Sequence, residues 1–265
     1  MENRQDAITR RSFFGKSTAA GVGAAAFTLI RPELVRGAGK EKLKAGLVGC
    51  GGRGTQAVID LMTGTENVDL VAMGDVFEDH LNTSHDKLTS HAPITSRIQV
   101  DQEHRFLGFD AFQKVIASDV DIVMLATPPA YRPQYFEAAV AAKKHVFCEK
   151  PFGTDPVGVR RFMDAARKSE ELKLTVVSGA QRHFAADYQE TVQRIKDGAL
   201  GEITACYANW VGSPVIQQKV RKPEWSDMEW QHRAWYSFRW ICGDQVVEQH
   251  LHNIDVCNWV MGTHP

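Results

Sequence analysis

From residue 45 onward the chain alternates short apolar runs with longer, more polar stretches. Residues 45–48, 68–74 (VDLVAMG), 98–100, 120–126 (VDIVMLA), 145–148 and 172–178 read as strands. Between them, residues 56–62, 108–117, 134–142 and 156–169 read as helices, and 78–96 as a helix followed by a loop broken at Pro93. Strands that are apolar throughout and alternate with helices predict a parallel sheet covered on both faces, an α/β fold. Further on, a helix at 187–196 ends in a glycine cap at Gly198, and a strand is expected over 201–210. Residues 211–240 show no clear period but are crowded with Trp225, Trp230, Trp235, Tyr236, Phe238 and Trp240. Tryptophans five apart advance about 140° per step on a helix, so they form no single stripe. Residues 244–261 return to a helical pattern, with Asp244 placed to cap it and apolar residues around most of its circumference.

The first strand-helix-strand unit carries chemistry. Gly49, Gly51 and Gly54 fall on the G-x-G-x-x-G spacing, with Gly52 and Arg53 inside the same loop. Such a loop makes a tight turn, admits a pyrophosphate close to the backbone, and opens a helix whose free N–H groups face the phosphates. Asp75 closes the second strand about 20 residues later, where a carboxylate holds a ribose 2′-hydroxyl. Val76 and Phe77 follow it, with no arginine to meet a 2′-phosphate, so NAD is expected rather than NADP. Thr127, Pro128 and Pro129 end the 120–126 strand and shape a loop at its carboxyl end, the ligand side of a doubly wound sheet.

Composition excludes some classes. The 265 residues, 43% hydrophobic, suffice for one or two cores, and 31 basic against 32 acidic side chains give no excess to attract nucleic acid. Five cysteines without a C-x-x-C pair imply neither a zinc knuckle nor a disulfide framework. At the N-terminus, Arg10 and Arg11 followed by Phe13, Phe14 and an Ala/Gly-rich segment at 17–30 resemble a twin-arginine (Tat) export signal. That segment is too short and weakly apolar for a stable membrane span. Residues 1–39 are therefore expected to be signal and linker, read by the Tat machinery and leading to the periplasm or cell envelope. The Tat route exports folded proteins, often with a cofactor inside, so an NAD enzyme carrying it must keep its cofactor bound and restore its redox state within each cycle.

The glycine loop, Asp75, the Thr127-Pro128-Pro129 strand end and Glu149-Lys150-Pro151 occur in the order found in the Gfo/Idh/MocA oxidoreductases, and the chain resembles that family from about residue 42 to its last residue. The resemblance implies a Rossmann NAD-binding domain over 40–178. It also implies that 179–265 begin a substrate and oligomerisation domain of α+β type with an open, mostly antiparallel sheet. Family members continue well past this point, so the sequence reads as a fragment of a homo-oligomeric protein. The cofactor set implied is Gly49, Gly51, Gly52, Arg53, Gly54, Asp75, Thr127, Pro128, Glu149 and Lys150. Lys150 would sit beside the nicotinamide and contact the reacting sugar hydroxyl; near a cationic ring its charged form is disfavoured, which suits acid/base work.

In the 244–261 helix, Glu248, His252 and Asp255 fall at i, i+4 and i+7, within about 60° of one another. The family pattern has Asp where this chain has Glu248, and the longer carboxylate is expected to accept a hydrogen bond from His252. His252 is the expected proton shuttle, with Lys150, Glu248 and Asp255 completing the catalytic set. His250 and His252 are about 200° apart on a helix and cannot easily share an ion, so no metal is expected. Arg182, Trp235 and Arg239 join His252 as candidate substrate contacts, aromatic faces serving as platforms for sugar rings. Three functions compete: an exported NAD-dependent oxidoreductase of a sugar or cyclic polyol, an NAD-dependent glycosidase that oxidises a ring carbon transiently, and a redox-silent sugar-binding protein.

Overall fold

The computed structural model describes residues 42–212 and 220–264. The expected export signal lies outside the described residues. In chain order the elements are β1 (Leu43–Val48), α1 (Gly52–Gly64), β2 (Val68–Asp75), α2 (Glu78–Ser90), β3 (Arg105–Leu107), α3 (Ala111–Ala117), β4 (Ile122–Leu125), α4 (Arg132–Ala141), β5 (His145–Cys148), α5 (Pro156–Glu171), β6 (Val176–Ser178), α6 (Ala186–Lys196), α7 (Asp227–Arg233) and α8 (Leu251–Met261). The strands form one sheet, parallel throughout, in the order β3-β2-β1-β4-β5-β6. Strand order reverses between β1 and β4, and a crevice opens there at the carboxyl ends of the strands.

Apolar runs without polar interruption are explained by burial on both sides. Leu47 and Val48, neighbours on β1, point to opposite faces. Leu47 joins the core under α1 and α2 with Val58, Met62, Leu81 and Leu88. Val48 joins the core under α3, α4 and α5 with Val115, Phe136, Ala139 and Phe162. Phe136 and Phe162 stack at 4.1 Å between ring centres, locking α4 to α5. Each such buried side chain contributes roughly 1.5–3 kcal/mol. Helix α5 starts where its sequence says it should: Asp155 accepts from Val157 N and Gly158 N, both at 2.9 Å, and Pro156 occupies the first turn.

Three expectations need correction. The third strand is Arg105–Leu107, paired with the end of β2, and residue 98 contributes only a single bridge to Leu70; Val100 is buried and Ile98 packs in the core under α1 and α2, so the 98–100 stretch is apolar for packing and not for pairing. The last strand is Val176–Ser178, shorter than 172–178, because α5 runs on to Glu171. Residues 201–210 form no strand, and the described residues after Ser178 contain none, so the expected antiparallel sheet is not seen among them. A strand needs a partner ladder; here the carbonyls of Ala208 and Asn209 are taken by His250 Nε2 at 2.9 Å and Asn253 Nδ2 at 2.7 Å. The expected helix over 244–261 is present and unbroken, but it contains a π-helical turn at Val246–His250 ahead of α8. Asp244 lies at φ 72° and accepts from the adjacent Gln245 N. Among the described residues no helix is long and apolar enough to cross a membrane.

Candidate active site

The glycine loop builds the floor of the crevice. Gly49 has φ 96°, and a Cβ there would come within 2.7 Å of Ala126 C on the neighbouring strand end. At Gly54 a Cβ would lie 1.9 Å from Gly49 O, so α1 can start this close to the loop only with glycine. Helix α1 begins at Gly52 without a side-chain cap or acidic residue in its first turn, leaving N–H groups turned to the crevice. Beside it, Gly51 has nothing within 4 Å of a built Cβ, which is open space for a ligand. Asp75 secures the loop: its Oδ2 accepts from Cys50 N at 2.7 Å and its Oδ1 from Phe77 N at 2.9 Å. Thr127 Oγ1 is buried without a partner at the crevice edge, and Thr127 and Pro128 line the same cavity as Gly49, Gly51, Asp75 and Trp235. An adjoining groove of about 650 Å³ shares Val76, Phe77, Phe109 and His232 with that cavity. An uncapped helix start, an open flank at Gly51 and an unpaired threonine hydroxyl fit the phosphates and ribose of a dinucleotide.

The next strand end carries the ionic centre. Glu149 is 5% exposed and accepts from Arg53 Nε at 2.6 Å, so Arg53 reaches back from α1 to the end of β5. Gly179 makes room, since a Cβ there would lie 2.4 Å from Glu149 Oε2. Lys150, one residue on, turns the other way. Its Nζ donates to Glu248 O at 2.7 Å and to Glu248 Oε2 at 3.1 Å, and Glu248 is 3% exposed. Buried Arg132 donates to Pro151 O at 2.6 Å and fixes the loop that follows.

This geometry corrects the expected Glu248–His252 bond, because the Glu248 carboxylate goes to Lys150. Its second oxygen is buried and unpaired. Burial pushes the Glu248 carboxyl up from its usual range, with Lys150 and Arg132 pulling against it. Burial also pulls the His252 imidazole below its usual value, and the positive charges of Lys150 and Arg182 pull it further down. The structure therefore pairs Lys150 with Glu248 at the end of β5, and His252 feels the Lys150 charge from the same helix as Glu248, while none of the three is among the residues lining the cavity over the glycine loop. Asp255 instead meets His183 Nε2 at 2.8 Å, and His183 stacks on Trp259 with ring centres 4.2 Å apart. Arg182 holds the helix, donating to His252 O at 2.9 Å and Asn253 Oδ1 at 2.5 Å. Trp235 lines the inner cavity, whereas Arg239 is exposed at the start of a short helical turn, Arg239–Cys242. No cluster of three His, Cys, Asp or Glu side chains suited to a metal occurs among the described residues.

Several contributors escaped the sequence reading. Arg132, Gly179 and His183 act through contacts 19 to 72 residues away, which no local pattern announces. His232, 6% exposed, donates from Nδ1 to Met228 O at 2.7 Å and faces the Tyr131 hydroxyl with Nε2. The only signal for it was its place inside the tryptophan-rich stretch.

A doubly wound sheet with a glycine loop at its switch point and an acidic residue ending β2 defines a dinucleotide-binding Rossmann protein. The chain belongs to the GFO_IDH_MocA family, described as an oxidoreductase family with an NAD-binding Rossmann fold, which it matches over residues 43–178. Inositol 2-dehydrogenase of Klebsiella pneumoniae is 28% identical over 159 residues, 60% of this chain and 43% of that protein. The 2,7-anhydro-N-acetylneuraminate hydratase of Escherichia coli is 25% identical over 167 residues, 63% of this chain and 40% of that protein. The chain thus spans less than half the length of either relative. Its fold is shared with scyllo-inositol dehydrogenase from Lactobacillus casei, solved with NAD(H) and scyllo-inositol, at a TM-score of 0.58 and 22% identity over 84% of this chain and 57% of that one.

Proposed function

We propose that this protein is an exported NAD-dependent oxidoreductase that acts on a CH–OH group of a sugar or cyclic polyol and keeps its cofactor bound. The observation that carries the reading is the Lys150–Glu248 pair at the end of β5, whose charge reaches His252 and whose neighbour Glu149 holds Arg53 of the glycine loop. The bound nicotinamide would supply the hydride acceptor. Gly49, Gly51, Gly54, Asp75 and Thr127 would hold the dinucleotide; Lys150 would orient the substrate hydroxyl; and His252, held neutral by burial and two cations, would take the hydroxyl proton. The preference for NAD over NADP rests on Asp75 and on its surroundings. The groove beyond it is lined by Glu78, Asp79 and Glu229, and its arginine, Arg233, is bonded to two of those carboxylates. A 2′-phosphate would meet repulsion there. Arg10 and Arg11 support export by the Tat machinery to the periplasm or cell envelope, and the family resemblance supports a homo-oligomeric whole protein.

A second reading uses the same site as an NAD-dependent glycosidase working through transient ring oxidation, and the relative named as a hydratase favours keeping it. One experiment separates the two. The protein is purified without added NAD and assayed for bound cofactor, then given free polyols and sugars and a glycoside panel. Net NADH formation from a polyol supports the oxidoreductase, and glycoside cleavage without net redox change supports the second reading. His252→Ala should retain NAD and lose turnover at least a hundredfold; loss of NAD binding with activity would sink the acid/base role.

A further inference from the structure

Helix α7 is the outer wall of the 650 Å³ groove. Phe77, Leu107 and Phe109 line the sheet side, and Met228, Glu229 and His232 line the α7 side. The helix begins at Ser226, whose Oγ accepts from Glu229 N at 3.1 Å, and ends at Arg233. Arg233 joins the two walls. Its Nη1 donates to both carboxylate oxygens of Asp79, at 3.1 and 2.9 Å, while its Nε donates to Glu229 at 2.9 Å. The guanidinium lies 4.0 Å from the centre of the Phe77 ring and 5.1 Å from that of Trp225. One residue earlier, His232 meets Tyr131 on the strand-end loop after β4. The backbone adds a third tie where Ala130 N donates to Ile241 O at 3.1 Å.

These contacts have one thing in common. Asp79, Phe77, Tyr131 and Ala130 all belong to loops or helix starts at the carboxyl edge of the sheet, and each is grasped by the segment 225–242. Groups that merely filled a core would not need to cross a groove of this size. Arg233 is also the contact best able to open and close, because its partner Asp79 is 59% exposed and water can take over the carboxylate when the pair parts.

We propose that α7 is a latch over the dinucleotide groove, with Arg233 as its pin, and that it sets how slowly the cofactor leaves. This rests on the reading that the groove holds NAD. Arg233 is a retaining residue, acting on the cofactor through the closure of the groove wall. It gives a physical basis for a cofactor that stays with the protein, since release requires the Arg233–Asp79 pair and the stacking on Phe77 to break together.

The test uses the full chain loaded with NADH. Excess NAD is added in a stopped-flow instrument, and the fall in NADH fluorescence gives the release rate. Arg233→Ala should release NADH about tenfold faster than the unaltered protein, the combined value of one cation–π contact and one partly exposed ion pair. Asp79→Asn, which leaves the stacking in place, should accelerate release about threefold. Arg233→Lys, which keeps charge and loses the fork, should fall between them and the unaltered protein. Thermal midpoints recorded alongside guard against a folding defect, and Asp79→Asn serves if Arg233→Ala does not fold. Release rates within twofold of the unaltered protein for every folded variant that binds NADH would overturn the latch alone. If the unaltered protein binds no NADH, both the latch and the nucleotide reading fall.

Discussion

Removing Lys150 should cost far more stability than neutralising Glu248. The Lys150→Met variant leaves a carboxylate that is 3% exposed without its ammonium partner. Breaking a buried pair by deleting one member costs about 3–5 kcal/mol, and the low end applies because the Lys150 side chain is 18% exposed. For a domain of this size, about 3 kcal/mol lowers the thermal midpoint by roughly 6–12 °C. Glu248→Gln behaves differently. Burial already penalises the charged Glu248 carboxyl and Lys150 keeps some contact with water, so the substitution should change stability by about 1 kcal/mol or less. The sign with pH follows. A carboxyl whose folded pKa lies above its unfolded value binds more protons in the folded state, so stability falls as pH rises from the ordinary carboxylate range through the raised value. Without Lys150 the raising is larger, so the Lys150→Met deficit should be greatest at pH 8 and shrink at pH 5. Circular dichroism melts at both pH values, with the Lys150→Met/Glu248→Gln double variant, give the comparison. A Lys150→Met midpoint within 2 °C of the unaltered protein at pH 8, or a Glu248→Gln loss exceeding it, would refute the reasoning.

Two other outcomes are expected. Gly54→Ala puts a Cβ 1.9 Å from Gly49 O, so the loop must shift; NAD affinity measured by calorimetry should fall at least tenfold, with a stability loss of about 1–3 kcal/mol. The acid limb of kcat/KM should lie below pH ~6.5, the free imidazole value, because His252 is held below it and stays neutral as pH falls; a limb above that value would remove His252 as the base.

The sheet was legible because its chemistry is local. Where a strand is buried on both faces its successive residues are apolar, as Leu47 beside Val48 shows, and the buried Asp69 of β2 is met by Lys42. The glycine loop and Asp75 were legible for the same reason, each being tied to a backbone need within one strand-helix-strand unit. What could not be read was pairing over long separations. β3 depends on only three residues matching the end of β2, and the short apolar stretch at 98–100 was read as the strand in its place. The π turn at Val246–His250 leaves the apolar period nearly intact, so a helix drawn at 3.6 residues per turn put Glu248 on His252, whereas the fold gives it to a lysine 98 residues away. The aromatic stretch was visible as composition and opaque as structure, since its order comes from Tyr131 and Asp79 in the first half of the chain.

Glu149 and Lys150 are adjacent, yet each holds a different module: Glu149 grips Arg53 on the helix of the glycine loop, and Lys150 grips Glu248 ahead of His252. One peptide plane therefore stands between the contacts of the glycine loop and those of the helix that carries His252. If the proposed cofactor acts on Arg53–Glu149 and the proposed substrate on Lys150–Glu248, that plane is the shortest covalent path between them, and any coupling it carries is equal in both directions. Reciprocity then fixes the equilibrium outcome: a cofactor that tightened the site for substrate would itself be tightened by substrate to the same degree.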